Sequence, residues 1–296
     1  MTYSTRSEML DDMPVVLDID DLSVDFETDN GTVHAVKNLS MTLKEGEIRG
    51  LVGESGSGKS VTAMTVLGLL GTSRARIRSG AVTYRGTDLL GLPRPEMQKI
   101  RGGEIGLVSQ NALTALDPSY TIGASLVEVI VRHQDIGKME ARRYAIQSLE
   151  RVLMPEPEKK LKAYPHQLSG GQRQRAVIAM ALAAQPRLLI ADEPTTALDA
   201  TVQKEVLDLF AKINRELGMA MIIVTHDFGV VSHLCDSVTV MRRGDHIESG
   251  TAAQVLHSPQ HAYTQGLMKA VPRLVPTPEE AVVPRSERRL FEFQGV

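Results

Sequence analysis

The chain of 296 residues has a single cysteine, Cys235, and no tryptophan. One cysteine excludes an internal disulfide and a cysteine-built zinc or iron–sulfur site within the chain, so no iron–sulfur cluster is expected. Placed between Leu234 and Asp236 near the end of a helical pattern, Cys235 reads as a buried structural thiol. Aromatics are scarce, with 6 Tyr and 5 Phe, and few compete for any stacking role. Long apolar runs are missing as well. The apolar stretch free of charge at Ser60–Ser73 has 14 residues and contains Gly68 and Gly71, whereas a membrane-spanning helix needs about 20. Neither sign of charge dominates: the net charge of −3 argues against a protein that holds nucleic acid by bulk charge. The N-terminal stretch carries Glu8, Asp11 and Asp12 without an apolar segment, so no secretory signal is expected. The chain is read as cytosolic, meeting a membrane only through a partner. What is present is ordinary: 42% hydrophobic and 23% charged residues. That suffices for a packed core in one large domain or two modest ones, at roughly 150 residues each.

Short strand-like runs open the chain at Val15–Asp20, Val33–Val36 and Glu47–Val52. Further strands are expected at Ala81–Tyr84, Ile105–Ser109, Leu188–Ala191, Met221–Val224, Val238–Met241 and His246–Glu248. Helical patterns cover Val61–Leu70, a long stretch from Tyr120 to about Leu153, and a segment that runs to about Ala184. Thr201–Leu217 is amphipathic, with Val202, Val206, Leu209, Phe210, Ile213 and Leu217 on one stripe. Strands alternating with helices imply an α/β layered fold with a largely parallel sheet. From Pro276 onward, prolines and charges suggest a loose tail.

The strand Glu47–Val52 runs into Gly53-Glu54-Ser55-Gly56-Ser57-Gly58-Lys59-Ser60 and then a helix opening at Val61. Strand, glycine-rich turn and helix in that order form a P-loop. Its glycines let backbone N–H groups converge on phosphate oxygens, and the helix N-terminus favours an anion. Lys59 reaches the β- and γ-phosphates in such a loop, and the Ser60 hydroxyl holds Mg²⁺. The apolar strand Leu188–Ala191 ends in Asp192 and Glu193, which supplies one acid for Mg²⁺ and one for the attacking water. Asp192 is the magnesium-side group. Glu193 is the candidate general base, or the residue that orients water on the γ-phosphate.

At Leu168-Ser169-Gly170-Gly171-Gln172 the chain resembles the ATP-binding subunits of ABC transporters, and the resemblance spans roughly Val15 to Arg273. It implies a P-loop NTPase core with an antiparallel β subdomain, an inserted α-helical subdomain and a short C-terminal extension. Residues 13–110 would be the first part of the core and 111–185 the helical subdomain. The core would resume over 186–256, and 257–296 would be the extension. Ser169, Gly170, Gly171 and Gln172 would cap the γ-phosphate held by the opposite subunit of a head-to-tail dimer. Gln110 matches the glutamine that senses Mg²⁺ or γ-phosphate and links to the membrane subunit. Ala197-Leu198-Asp199 matches the loop that crosses the dimer interface, and His226 the switch histidine on the γ-phosphate. Phe26 lies where an aromatic stacks on adenine, with His34 a neighbour of the base.

The wording of Asn111–Gly123, Tyr164–Arg175, Asp192–Asp199 and His261–Pro272 is similar to the oligopeptide/dipeptide/nickel importer ATPases. This implies an ATPase that works with ATP and Mg²⁺, a sister chain or a second copy of itself, two permease subunits and an extracytoplasmic solute-binding protein. It would sit peripherally on the cytoplasmic face of the inner membrane and bind no nucleic acid. Import of nickel or another small solute, or soluble non-transport work, are the alternatives. Soluble relatives that act on DNA would carry long heptad repeats between Gln110 and Leu168, and none is present. Intact Glu193 and His226 count against a degenerate regulatory half, and the lack of fused spans against an exporter. The C-terminal extension departs from the resemblance in having no cysteine after Cys235.

Overall fold

The computed structural model describes residues 6, 9–71, 74–196 and 198–270. The expected tail from Pro276 and residue Ala197 lie outside these. Among the described residues, ten strands form one sheet of order β5-β4-β1-β2-β10-β9-β3-β8-β7-β6. Its first half is antiparallel: β1 (Val15–Thr28), β2 (Gly31–Lys44), β4 (Ala75–Tyr84) and the short β5 (Thr87–Asp88). Its second half is a parallel array of β3 (Ile48–Val52), β6 (Ile105–Val108), β7 (Leu188–Asp192), β8 (Ala220–Thr225) and β9 (Ser237–Arg242). The hairpin partner of β9, β10 (Asp245–Thr251), touches β2 and joins the halves. The sheet is therefore mixed rather than largely parallel.

β7 and β8 are buried along their whole length. Parallel strands covered on both faces need continuous apolar runs, and this is why their bounds were legible. β1, by contrast, extends well past Asp20. Asp18, Asp20, Asp21 and Asp25 have low strand propensity, but pairing with β2 on one edge and β4 on the other overrides it. A register shift between Ile19 and Leu22, with Asp21 at φ 49°, absorbs the irregularity.

Helices cover the parallel half. α1 (Lys59–Val66) follows β3 directly. The long pattern from Tyr120 resolves into two helices, α2 (Ile122–His133) and α3 (Lys138–Arg151). The break comes at Gln134, whose extended backbone ends α2, and at Gly137, which caps α3. α4 (Gly170–Leu182) leads from the LSGGQ segment back to β7. α5 (Ala200–Leu217) buries Val206, Leu209, Phe210 and Ile213 almost completely, whereas Leu217 at the end of the expected stripe is exposed. α6 (Phe228–Leu234) ends at Cys235, whose thiol is buried against Gly50 of β3. α7 (Ala252–His257) and α8 (Ala262–Ala270) complete the described chain. Among the described residues no helix is long and apolar enough to cross a membrane.

Candidate functional site

The C-terminal ends of β3, β7 and β8 supply the site, as expected for an open parallel sheet whose crevice lies beyond its strand ends. β3 ends at Val52 and the backbone turns through Gly53 at φ 154° and Gly58 at φ 103°. Neither position tolerates a side chain. A Cβ on Gly53 would lie 2.1 Å from the Met241 carbonyl, and one on Gly58 would lie 2.3 Å from the Ala35 carbonyl. The loop is thus seated on the β9–β10 hairpin and on β2, an arrangement the Ser57 carbonyl reinforces by accepting the Gly244 N–H at 3.0 Å.

Within the loop, the Lys59 ammonium donates to the carbonyls of Gly53 at 2.7 Å and Glu54 at 2.8 Å, and to the Ser57 hydroxyl at 3.3 Å. Its burial lowers its pKa, opposed by the charges of Glu193, Asp192 and Glu54. The Ser60 hydroxyl donates to Asp192 Oδ1 at 3.1 Å. Burial raises the Asp192 pKa, and the hydrogen bond from Ser60 only partly offsets it. A hydroxyl and a carboxylate in contact are hard oxygen donors, and that is the donor set Mg²⁺ takes alongside phosphate and water.

Asp192 is the last residue of β7, and Glu193 turns out of the strand at φ 46°, anchored by its N–H to the Val224 carbonyl of β8 at 2.9 Å. That left-handed turn sends the two carboxylates in different directions. Three side chains converge on Glu193: the Gln110 amide at 3.0 Å, the Thr196 hydroxyl at 2.9 Å and His226 Nδ1 at 3.1 Å. Burial works to raise the Glu193 pKa, but the hydrogen bonds of Thr196 and His226 and the charges of His226 and Lys59 outweigh it. The net shift is downward, so the carboxylate is held ionised. Thr196 carried no expected role; its signal was its position three residues after Glu193 at the mouth of a tight turn.

The LSGGQ segment is self-contained. Ser169 caps α4, accepting the Gln172 N–H at 3.3 Å, while the Gln172 side chain accepts the Ser169 N–H at 3.4 Å. Its two glycines differ. Gly170 faces open space, whereas a Cβ on Gly171 would meet Val202 at 2.7 Å. Val202 lies in the first turn of α5, whose cap is Asp199, accepting the Val202 N–H at 3.0 Å. LSGGQ and the Asp199 loop are therefore packed together.

Phe26 is half-buried on β1 opposite Val33 and Ala75. His34 pairs with Asp25 across β1 and β2, its Nδ1 2.8 Å from the carboxylate. Successive strand residues alternate faces, so Phe26 and His34 lie on opposite sides of the sheet and cannot flank one base.

This geometry has relatives. A family model described as "ABC transporter" matches residues 36–196. The chain belongs to the ABC transporter family. A second model, "Oligopeptide/dipeptide transporter, C-terminal region", matches residues 247–292. The chain is 46% identical over 262 residues to the dipeptide transport ATP-binding protein DppD of Bacillus subtilis, covering 88% of this chain and 78% of that protein. It is 47% identical over 260 residues to the oligopeptide transport ATP-binding protein OppD of Salmonella typhimurium, covering 88% and 77%. Among solved structures, a dimeric post-hydrolysis state of the ATP-binding cassette MJ0796 bound to ADP and Pi has a TM-score of 0.71 at 28% identity. That match covers 80% of this chain and 98% of that one. As a member of the ABC transporter family, the chain is a nucleotide-binding ATPase.

Proposed function

We propose that this ATPase powers import of di- or oligopeptides through partner permeases, working as a head-to-tail dimer on the cytoplasmic face of the inner membrane. An extracytoplasmic binding protein would deliver the solute. The observation that carries the catalytic part is the convergence of Gln110, Thr196 and His226 on Glu193, one residue from the Ser60–Asp192 contact.

ATP lies along the P-loop, its phosphates met by N–H groups of residues 53–61 and its adenine against Phe26. Lys59 leaves the Gly53 and Glu54 carbonyls for the β- and γ-phosphates. Ser60, Asp192 and Gln110 would hold Mg²⁺, which supplies charge neutralisation on the transferring phosphoryl group. Glu193, ionised and held by three neighbours, orients the attacking water and accepts its proton, while His226 stands beside the γ-phosphate. Ser169 and Gly170 of the partner subunit's LSGGQ close the site from the other side. Residues 13–110 and 186–256 act as the core in this reading, 111–185 as the helical arm toward the permease, and 257–296 as an extension. The similarity of the C-terminal region to that of peptide transporters supports the choice of solute.

The test begins with ATP titration of Lys59→Ala, expected to bind ATP–Mg²⁺ at least about tenfold more weakly through loss of a phosphate counter-charge. It continues with reconstitution of the ATPase and its co-purifying permeases in vesicles. Uptake of labelled peptide that follows ATP supports the assignment. ATP-driven uptake of nickel instead of peptide would overturn it.

A further inference from the structure

A side chain of the C-terminal region, that of Tyr263, reaches the phosphate loop. The start of α8 is fixed in place by Glu248 of β10, whose carboxylate accepts the N–H groups of Gln260 at 2.7 Å and His261 at 3.1 Å. His261 Nδ1 in turn accepts the Tyr263 N–H at 3.0 Å, and the Gln265 amide donates to the Pro259 carbonyl at 3.0 Å. From this braced turn the Tyr263 ring lies half-buried, with the Arg242 guanidinium 4.6 Å from its centroid, within the range of a cation–π contact. Its hydroxyl accepts the N–H of Glu54 at 3.4 Å.

That N–H belongs to the same peptide group as the Gly53 carbonyl, which accepts from Lys59 at 2.7 Å. A trans peptide is a rigid plane with its N–H and C=O pointing in opposite directions. Lys59 and Tyr263 therefore hold one plane from its two edges. When Lys59 releases the carbonyl for a phosphate, Tyr263 still restrains the plane. Arg242, which supports the ring, ends the strand whose Met241 carbonyl abuts Gly53. The same strand thus backs both the loop and its restraint.

We infer that Tyr263 is a positioning residue of the nucleotide site, fixing the Gly53–Glu54 peptide so that the C-terminal region sets ATP affinity. The inference rests on the phosphate-loop reading above. Its test is ATP titration and steady-state hydrolysis of Tyr263→Phe, Tyr263→Ala and Arg242→Gln, with Lys59→Ala in parallel. Removing the hydroxyl alone should raise the Kd and KM for ATP about threefold with kcat unchanged, the worth of one neutral hydrogen bond. Removing the ring should raise them about tenfold, and Arg242→Gln should fall between. A tyrosine that only props up the fold would instead lower the Tm of Tyr263→Phe without moving KM. That result overturns the inference, as does parental ATP affinity in all three variants. Should Tyr263→Ala not fold, Tyr263→Phe alone decides. If Lys59→Ala also binds ATP like the parent, the failure lies with the loop assignment and not with Tyr263.

Discussion

The phosphate loop and the LSGGQ segment are both glycine-rich turns leading into helices, yet they are built to opposite ends. The phosphate loop is anchored: Gly53 and Gly58 abut carbonyls of β9 and β2, Lys59 is buried, and Ser60 meets Asp192 beside the cluster of Gln110, Glu193 and His226. LSGGQ bonds to itself through Ser169 and Gln172 and leaves Gly170 open. In the proposed function the phosphate loop with Asp192 and Glu193 is the hydrolytic half of a site. In that same function LSGGQ is the cap, and a hydrolytic half and a cap on each chain are what a composite site between two copies requires.

The sharpest way to break the comparison is at Glu193. Glu193→Gln keeps the shape and the partners of the side chain but cannot accept a proton. General-base contributions run about 10²–10⁴-fold, so ATP hydrolysis measured by phosphate release should fall by at least about 10²-fold while ATP binding survives. Retained hydrolysis would leave Glu193 as an orienting residue only.

Asp192 gives the next largest effect and separates function from stability. Burial raises its pKa, so the folded state takes up its proton more readily than the unfolded chain. The ionised carboxylate then works against folding, a cost that grows as pH rises from the unfolded pKa to the folded one and is fully present above it. Asp192→Asn, which still accepts from Ser60, should have a nucleotide-free Tm at pH 7 no lower than the parent. Its Mg²⁺-dependent ATP affinity should fall about tenfold or more. A lower Tm would show that Ser60 and Lys59 over-compensate the burial.

How far the sequence carried the account differs between the same two regions. The phosphate-loop motif and the acids after an apolar strand made Lys59, Ser60, Asp192 and Glu193 legible, because each sits at a strand end or helix start, whereas Ser169 was legible through the resemblance at LSGGQ. Neighbours set by tertiary approach were not. Thr196 reaches Glu193 through a left-handed turn, and Tyr263 reaches Glu54 from 209 residues away. The two LSGGQ glycines read alike until Val202 was found against one of them. The antiparallel half of the sheet was also underread, since Asp20, Asp21 and Asp25 are poor strand formers held by two neighbouring strands.

The smallest effect divides those glycines. Gly171→Ala drives a methyl into Val202 and should cost about 1–3 kcal/mol by overpacking. Gly170→Ala meets nothing and should be neutral or stabilising by up to about 1 kcal/mol. Denaturant melts of both variants measure this, and equal stabilities would mean that α4 and α5 shift apart freely.

The composite site itself is tested most directly by the mass of Glu193→Gln in solution. Light scattering should give a monomer without nucleotide and twice that mass with ATP–Mg²⁺, either alone or with a sister ATPase. Adding Ser169→Arg, which places a bulky cation on the cap, should return the monomer. A monomer under every nucleotide and partner condition would contradict the account.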